Sequence, residues 1–111
     1  MVRRAARVDA NQPEIVAAFR KMGATVEIHS QWPCGYDLLV HAYGLTMRTE
    51  VKDGSKPPSA QKLTENEQQA HDNNPATYAV VRNTDEAQGL LASMREHAEL
   101  ISRSRPCTQS R

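Results

Sequence analysis

The sequence contains few cysteines and few aromatic residues. Its 111 residues include two cysteines, Cys34 and Cys107, one tryptophan and one phenylalanine. Two cysteines are too few for a disulfide framework, and they do not form a paired-cysteine zinc signature. A mixed site built from Cys34 and His41 would lack the second Cys/His pair that zinc sites usually have. We therefore expect both cysteines to be free thiols.

Long apolar runs and a strong charge excess are also missing. Nothing approaches a transmembrane span, and no apolar run follows the basic N-terminus, so we expect a cytoplasmic protein without a secretory signal. The formal net charge is +1, but residues 1–22 carry +3 and residues 63–75 carry -3. The net charge therefore conceals a local positive potential near the N-terminus, which is compatible with a polyanionic partner.

The two ends of the chain are basic and lack hydrophobic periodicity. We interpret residues 1–8 as a basic arm, residues 9–102 as one domain and residues 103–111 as a disordered tail. The arm contains Arg3, Arg4 and Arg7, which are candidates for phosphate contacts. Arms of this composition also occur simply as solubilising termini, so both interpretations stay open here.

Hydrophobic periodicity predicts an α/β fold with the element order α-β-β-β-α-β-α. The helices and strands are expected over 11–22, 24–29, 36–41, 45–52, 64–72, 77–82 and from 84 to about 101. A three-strand meander with a fourth strand added after a helix requires a mixed sheet flanked by helices. The predicted helix ends are capping boxes at Asn11/Glu14 and Thr64/Glu67, a cap at Thr84, and a left-handed Gly23.

One predicted strand has an apolar face and an opposite face of polar and charged side chains. Leu45, Met47, Thr49 and Val51 alternate with Thr46, Arg48, Glu50 and Lys52. Asp37 opens the preceding, mostly apolar strand, where an acid must be paired, exposed or bound to something. A tight turn at Tyr43-Gly44 would bring Asp37 next to Glu50 and Lys52.

Two carboxylates that converge at a sheet end suit Mg²⁺, which binds few protein oxygens and keeps waters for a substrate phosphate. A neighbouring lysine can orient water or stabilise charge on phosphate oxygens. Asp37, Glu50 and Lys52 are therefore candidate catalytic residues for phosphodiester hydrolysis. The alternative for Glu50 and Lys52 is an ordinary solvated strand face.

The segments Tyr-Asp-Leu-Leu-Val at 36–40 and Glu-Val-Lys-Asp-Gly at 50–54 resemble the active site of the PD-(D/E)xK nuclease superfamily. The predicted element order resembles the family's α-β-β-β-α-β core over about residues 9–92. The most similar members in shape are the small virus-type replication-repair (VRR-NUC) nucleases and the archaeal Holliday-junction resolvases. The resemblance implies a restriction-endonuclease-like core, with an extra C-terminal helix, that forms a single nuclease domain over 9–102.

The resemblance also implies roles for individual residues. Asp37 and Glu50 would ligate Mg²⁺ or Mn²⁺, the Val51 carbonyl would add a ligand, and Lys52 would position the attacking water. Glu14 would match the family's further acid near the metal, and it is equally a helix-capping acid. Gln68 would match the polar residue on the family's second helix, although it is also an ordinary helix residue.

The chain departs from the family pattern just before Asp37. Tyr36 stands where the family has its proline, and 31–35 replaces a glycine-rich turn. Trp32, in that segment, either stacks on a base or covers the core. These departures leave the ligands in place and make the preferred substrate an open question.

The sequence thus predicts a Mg²⁺-dependent endodeoxyribonuclease that acts on branched or otherwise structured DNA in a phage-type setting. Backbone contacts would come from the N-terminal arginines and from Lys56 and Lys62, two loop lysines that are otherwise solvated charges. Symmetric junctions would call for a homodimer. The alternatives are a non-catalytic nucleic-acid-binding accessory protein that retains the fold, and a nuclease subunit of a larger assembly.

Overall fold

The computed structural model describes residues 8–104, in which three helices surround a four-stranded sheet. The elements are α1 (Gln12–Lys21), β1 (Thr25–Ile28), β2 (Leu38–Ala42), β3 (Leu45–Val51), α2 (Glu65–Asn73), β4 (Tyr78–Val81) and α3 (Thr84–Ser104). Short 3-10 helices, which the sequence did not predict, cover Pro58–Gln61 and Pro75–Thr77. The predicted α/β class and element order are confirmed.

The strand order in the sheet is β1-β2-β3-β4. The first three strands form an antiparallel meander, and β4 runs parallel to β3 after the crossover through α2. This is the mixed sheet that the element order required. Whether it is specifically a restriction-endonuclease-like core stays a prediction.

The alternation in β3 separates the two faces of the sheet as predicted. Its apolar side joins a core with α1 and α3 in which Phe19, Val40 and Val51 are almost completely buried. The polar and charged side of β3 faces α2, because the Arg48 guanidinium donates to the Ala70 carbonyl (2.9 Å). One face therefore supplies stability, and α2 closes a polar site on the other.

Two of the predicted helix caps are confirmed. Gly23 ends α1 with a φ of +98°, and the Ala24 N–H donates to the Phe19 carbonyl at 3.0 Å. At α2 both halves of the Thr64/Glu67 capping box are present. These ends were predictable because each depends on residues within a single turn.

The capping box at Asn11 and the cap at Thr84 are wrong, although Asn11 does stand at the N-cap position of α1. The Asn11 side chain does not cap α1; its Nδ2 donates to the carbonyls of Lys52 (3.2 Å) and Arg82 (2.9 Å) and ties the helix to the ends of β3 and β4. The cap of α3 is Asn83, whose Oδ1 accepts from the Glu86 N–H at 2.8 Å, and not Thr84. Tertiary hydrogen bonds and a one-residue shift explain these errors.

The predicted tail overlaps the end of α3. Arg103 and Ser104 belong to α3, so the prediction of a tail from residue 103 is wrong at these two positions; the Ser104 hydroxyl donates to the Leu100 carbonyl at 2.8 Å. Residues 1–7 and 105–111 lie outside the described part, and with them most of both predicted basic ends. Within residues 8–104, none of the helices has the length and apolar character needed to cross a bilayer.

A substitution at Gly35 tests how closely α2 packs against the segment before β2. Its φ is +87°, and an added Cβ would lie 2.6 Å from the Ala70 Cβ and 2.9 Å from the Asn66 carbonyl oxygen. We expect Gly35→Ala to lower the free energy of unfolding by about 2–4 kcal/mol, through backbone strain and overpacking against α2.

The matched control is Gly89→Ala in α3, where an added Cβ meets nothing within 4 Å. It should raise the free energy of unfolding by about 0.5–1 kcal/mol, because alanine is the better helix former. Urea denaturation measures both changes. Equal stability of the two variants would contradict the close packing of Gly35 on α2.

Candidate active site

The β2–β3 hairpin brings Asp37 and Glu50 together. Leu38 pairs with Thr49, so the residue before β2 lies next to the end of β3. The Asp37 N–H donates to the Thr49 carbonyl (3.0 Å), and Asp37 Oδ2 accepts from the Val51 N–H (2.9 Å). The main chain of β3 therefore fixes the orientation of the Asp37 carboxylate.

Glu50 is buried and Asp37 beside it is half-buried. Glu50 is only 4% exposed. Burial, together with the charge of Asp37 and a hydrogen bond to Glu67, raises the pKa of Glu50 to about 10. Burial also raises the pKa of Asp37, although the Val51 N–H partly offsets the effect. Two acids that resist ionisation together form a place where a cation is favoured.

Lys52 is buried beside them. Its Nζ lies 2.8 Å from Glu67 Oε1 and 3.6 Å from Glu50 Oε2. Burial works to lower the pKa of Lys52, but the hydrogen bond to Glu67 and the charge of Glu50 outweigh it, so the pKa is raised. Lys52 is therefore held as an ammonium donor at neutral pH and not as a base.

Glu67 belongs to the site, and the sequence predicted it only as a helix cap. The same oxygen that accepts from Lys52 accepts from the Thr64 N–H at 2.9 Å. Burial opposes ionisation of Glu67, but the bonds from Lys52 and Thr64 prevail and lower its pKa. The capping-box pattern was a signal for the residue, whereas its contact with Lys52 depends on where α2 packs.

Two other residues predicted for the site, Glu14 and Gln68, lie away from Asp37 and Glu50. Glu14 is exposed on α1 and lines a separate cleft with Asp53 and Arg82. Gln68 points along the outside of α2, where its Nε2 donates to Asp72 Oδ1 at 2.9 Å. The structure thus does not bring these two side chains to Asp37 and Glu50.

The predicted phosphate-contacting residues are only partly described. Arg3, Arg4 and Arg7 lie outside residues 8–104. Lys56 is exposed and its Nζ lies 3.5 Å from Asp9 Oδ1; Lys62 is exposed as well. The negative charge of Asp9 is near enough to contribute to the raised pKa of Asp37. Asp9 precedes α1 by three residues, and it is the N-terminal acid whose charge acts on Asp37, in place of the predicted Glu14.

Asp37 and Glu50 open into a cleft of about 250 Å³. It is lined by Ser30, Trp32, Gly35, Tyr36, Asp37, Glu50, Thr64, Asn66 and Glu67. A wider groove of about 610 Å³ lies between Tyr43 and α3. Arg95 and Glu99 in its lining pair with each other at 3.4 Å, whereas the smaller cleft places two acids, Asp37 and Glu50, side by side.

The donors in the smaller cleft fit a hard divalent cation with an incomplete protein shell. In the described part of the chain, no three His, Cys, Asp or Glu side chains are arranged as a complete metal cage. Two carboxylates suit Mg²⁺, which retains several waters, better than they suit zinc. Cys34 and His41 are engaged separately, with the Tyr36 carbonyl and with Glu27 and Thr46.

No family model, no curated protein and no solved structure matches this chain.

Proposed function

We propose that this cleft hydrolyses DNA phosphodiester bonds with the help of Mg²⁺, as an endonuclease acting on branched or otherwise structured DNA. The observation that carries the proposal is the Asp37–Glu50 pair. Glu50 is buried with Asp37 half-buried beside it, and the Lys52 ammonium group lies 3.6 Å from Glu50. Two neighbouring acids in such a place ionise together only at a cost unless a proton or a cation is bound between them, and acids with raised pKa values of this kind concentrate at functional sites.

The residues that would hold the ion are Asp37 and Glu50, with the Val51 carbonyl added by the family resemblance. Asp37 is oriented by its bond from the Val51 N–H, so its position does not depend on the ion. When bound, Mg²⁺ would polarise the phosphate and lower the pKa of water. The protein's contribution is to place two fixed oxygens at the end of a rigid hairpin.

Lys52 would act as a charged donor toward the substrate. Its raised pKa keeps three protons on Nζ, so it can orient the attacking water or stabilise negative charge on phosphate oxygens. Glu67 holds the same Nζ at 2.8 Å. Because Glu67 also caps α2, this helix positions the lysine for its role.

DNA would be bound mainly through its backbone. The residues proposed for this are Arg3, Arg4, Arg7, Lys56 and Lys62, and a domain of this size has little surface for reading base sequence. A homodimer is the proposed arrangement, because paired cuts at a junction need two sites related by symmetry.

A second candidate function is non-catalytic binding of nucleic acid. The observation that favours it is that Lys52 lies closer to Glu67 than to Glu50, as expected of a purely structural ion pair. Metal ions distinguish the two functions. A binding module should show no effect of Mg²⁺ that depends on Asp37, whereas the enzyme should be stabilised by the ion.

The proposal is tested by incubating the protein with labelled four-way junction, flap, single-stranded and linear duplex DNA. Each substrate is treated with Mg²⁺, Mn²⁺ or EDTA. We expect cutting with either ion, none in EDTA, and a preference for structured substrates. Intact substrates in every lane, with DNA binding retained, would favour the second candidate.

The same assay contains a prediction for Lys52→Gln. Glutamine retains a donor for Glu67 but removes the positive charge, so cleavage should fall by about 10²-fold while the fold persists. The matched control is Lys21→Gln, an exposed lysine in the last turn of α1. Equal cleavage by the two variants would remove Lys52 from the mechanism.

A further inference from the structure

Trp32 is the single tryptophan of the chain, and its placement is unusual. It is 60% exposed and still lines the same cleft as Asp37 and Glu50. Isolated exposed apolar side chains are common on protein surfaces and need no explanation. A large exposed aromatic ring in the lining of a cleft with one buried and one half-buried acid is a more specific arrangement, and the ring does not cover the core.

The Trp32 ring packs against His29, which in turn packs against Tyr36. Its ring lies 4.8 Å, centroid to centroid, from the ring of His29 at an interplanar angle of 52°. The His29 ring lies 5.6 Å from that of Tyr36. Packing of this kind limits the positions available to the indole and reduces the entropy lost when a ligand stacks on it.

The backbone connects this aromatic row to the acids. The Trp32 N–H donates to the His29 carbonyl (3.0 Å), and the His29 N–H donates to the Asp37 carbonyl (2.7 Å). The segment is also fixed to α2 and β4, because Asn66 Nδ2 donates to the Pro33 carbonyl and the Tyr78 hydroxyl donates to the Gly35 carbonyl at 2.7 Å. The main chain of Trp32 therefore has a defined position relative to that of Asp37, and its ring lines the cleft that contains the Asp37 carboxylate.

We infer that Trp32 is a stacking platform for the base of an unpaired nucleotide next to the scissile phosphate. This deepens, and rests on, the proposed nuclease function. In a duplex both faces of each base are covered by its neighbours, so only an unpaired or displaced nucleotide can stack on the indole. The substrate class is accordingly DNA with single-stranded character at the cut, such as a flap, a frayed end or an open junction.

Because Trp32 is the only tryptophan, its fluorescence reports the contact directly. The protein is titrated in EDTA, where no cutting is expected, with a thymidine oligonucleotide and with a blunt duplex of equal length. We expect saturable quenching with the single strand and little with the duplex. Unchanged fluorescence at concentrations where anisotropy of the labelled strand shows binding would overturn the inference.

Variants connect the contact to cleavage. Trp32→Ala should weaken single-strand binding by about 10-fold or more and reduce flap cleavage, whereas Trp32→Phe should retain most of both. The matched control is Leu100→Ala, a 54% exposed apolar side chain of α3, which should match the wild type. Flap cleavage that is equal in all four proteins would refute the platform.

These outcomes separate the inference from the proposed function. Quenching by the single strand without any cleavage in Mg²⁺ would reject the nuclease and, with it, the placement of the base beside a scissile phosphate. Cleavage that prefers flaps but does not depend on residue 32 would reject the platform and leave the nuclease. Circular dichroism of each variant establishes that the protein tested is folded.

Discussion

Asp37→Asn is expected to reduce metal-dependent cleavage by at least about 10³-fold. The substitution removes one of two carboxylates proposed to hold the ion, and loss of the ion removes several kcal/mol of charge stabilisation in the transition state. The fold should survive, because an asparagine Oδ1 can still accept the hydrogen bond that Asp37 Oδ2 receives from the Val51 N–H at 2.9 Å. Single-turnover cleavage of a labelled flap measures the effect.

DNA binding supplies the internal control for this prediction. In EDTA, Asp37→Asn should bind the flap as well as the wild type does, since the proposed backbone contacts lie elsewhere on the chain. Asp72→Asn, an exposed acid of α2, is the matched charge control and should cut normally. If Asp37→Asn cuts at the wild-type rate, the proposed catalytic centre is wrong.

Glu50→Gln is expected to stabilise the metal-free protein. Burial and the charges of Asp37 and Glu67 raise the pKa of Glu50 from 4.5 to about 10. The folded state then binds a proton more tightly than the unfolded state does. The stability that this group contributes is complete below about pH 4.5 and is lost progressively as the pH rises toward 10. A neutral glutamine abolishes this loss.

The expected gain at pH 8 in EDTA is about 1–3 kcal/mol in the free energy of unfolding, which corresponds to an increase in Tm of several degrees. Lys52 retains its closer partner Glu67 in this variant, so no buried ammonium is left alone. Near pH 4.5 the two proteins should unfold alike. Thermal unfolding followed at a series of pH values measures both expectations.

Bound Mn²⁺ should make the wild type more stable than Glu50→Gln, the reverse of the order expected in EDTA. A ligand that binds only the folded state stabilises it, by about 2.7 kcal/mol at a concentration of 100 times its Kd. Mn²⁺ should therefore raise the Tm of the wild type and leave that of Glu50→Gln unchanged. A Glu50→Gln protein that is less stable than the wild type in EDTA would show that Glu50 is a structural residue. Such a trade of stability for binding is typical of functional sites.

The sequence was sufficient for the parts of the site that depend on local pairing. The period of two in β3 assigned Glu50 and Lys52 to one face, and the tight turn at Tyr43-Gly44 fixed the β2–β3 register that places Asp37 beside Glu50. Strand alternation and short hairpins are decided by neighbouring residues, so a pattern can predict them. The mixed sheet followed in the same way from the order of elements.

The sequence was insufficient where packing between distant elements decides the outcome. Glu67 reaches Lys52 only because α2 crosses the polar face of the sheet, with Gly35 allowing its close approach. The Asn11 side chain makes no capping bond at α1 and donates to the carbonyls of Lys52 and Arg82. Glu14 on α1 and Gln68 on α2 line other clefts and do not reach Asp37 and Glu50. A local pattern does not specify such contacts.

Mg²⁺ binding measured by isothermal titration calorimetry at pH 8 tests the central claim, that Asp37 and Glu50 together hold a divalent cation. We expect one saturable site per chain in the wild type and none in Asp37→Asn. Because the pKa of Glu50 is about 10 in the metal-free protein, binding should release about one proton, which titrations in buffers of different ionisation enthalpy detect. Absence of saturable binding, or identical binding by Asp37→Asn, would contradict the account.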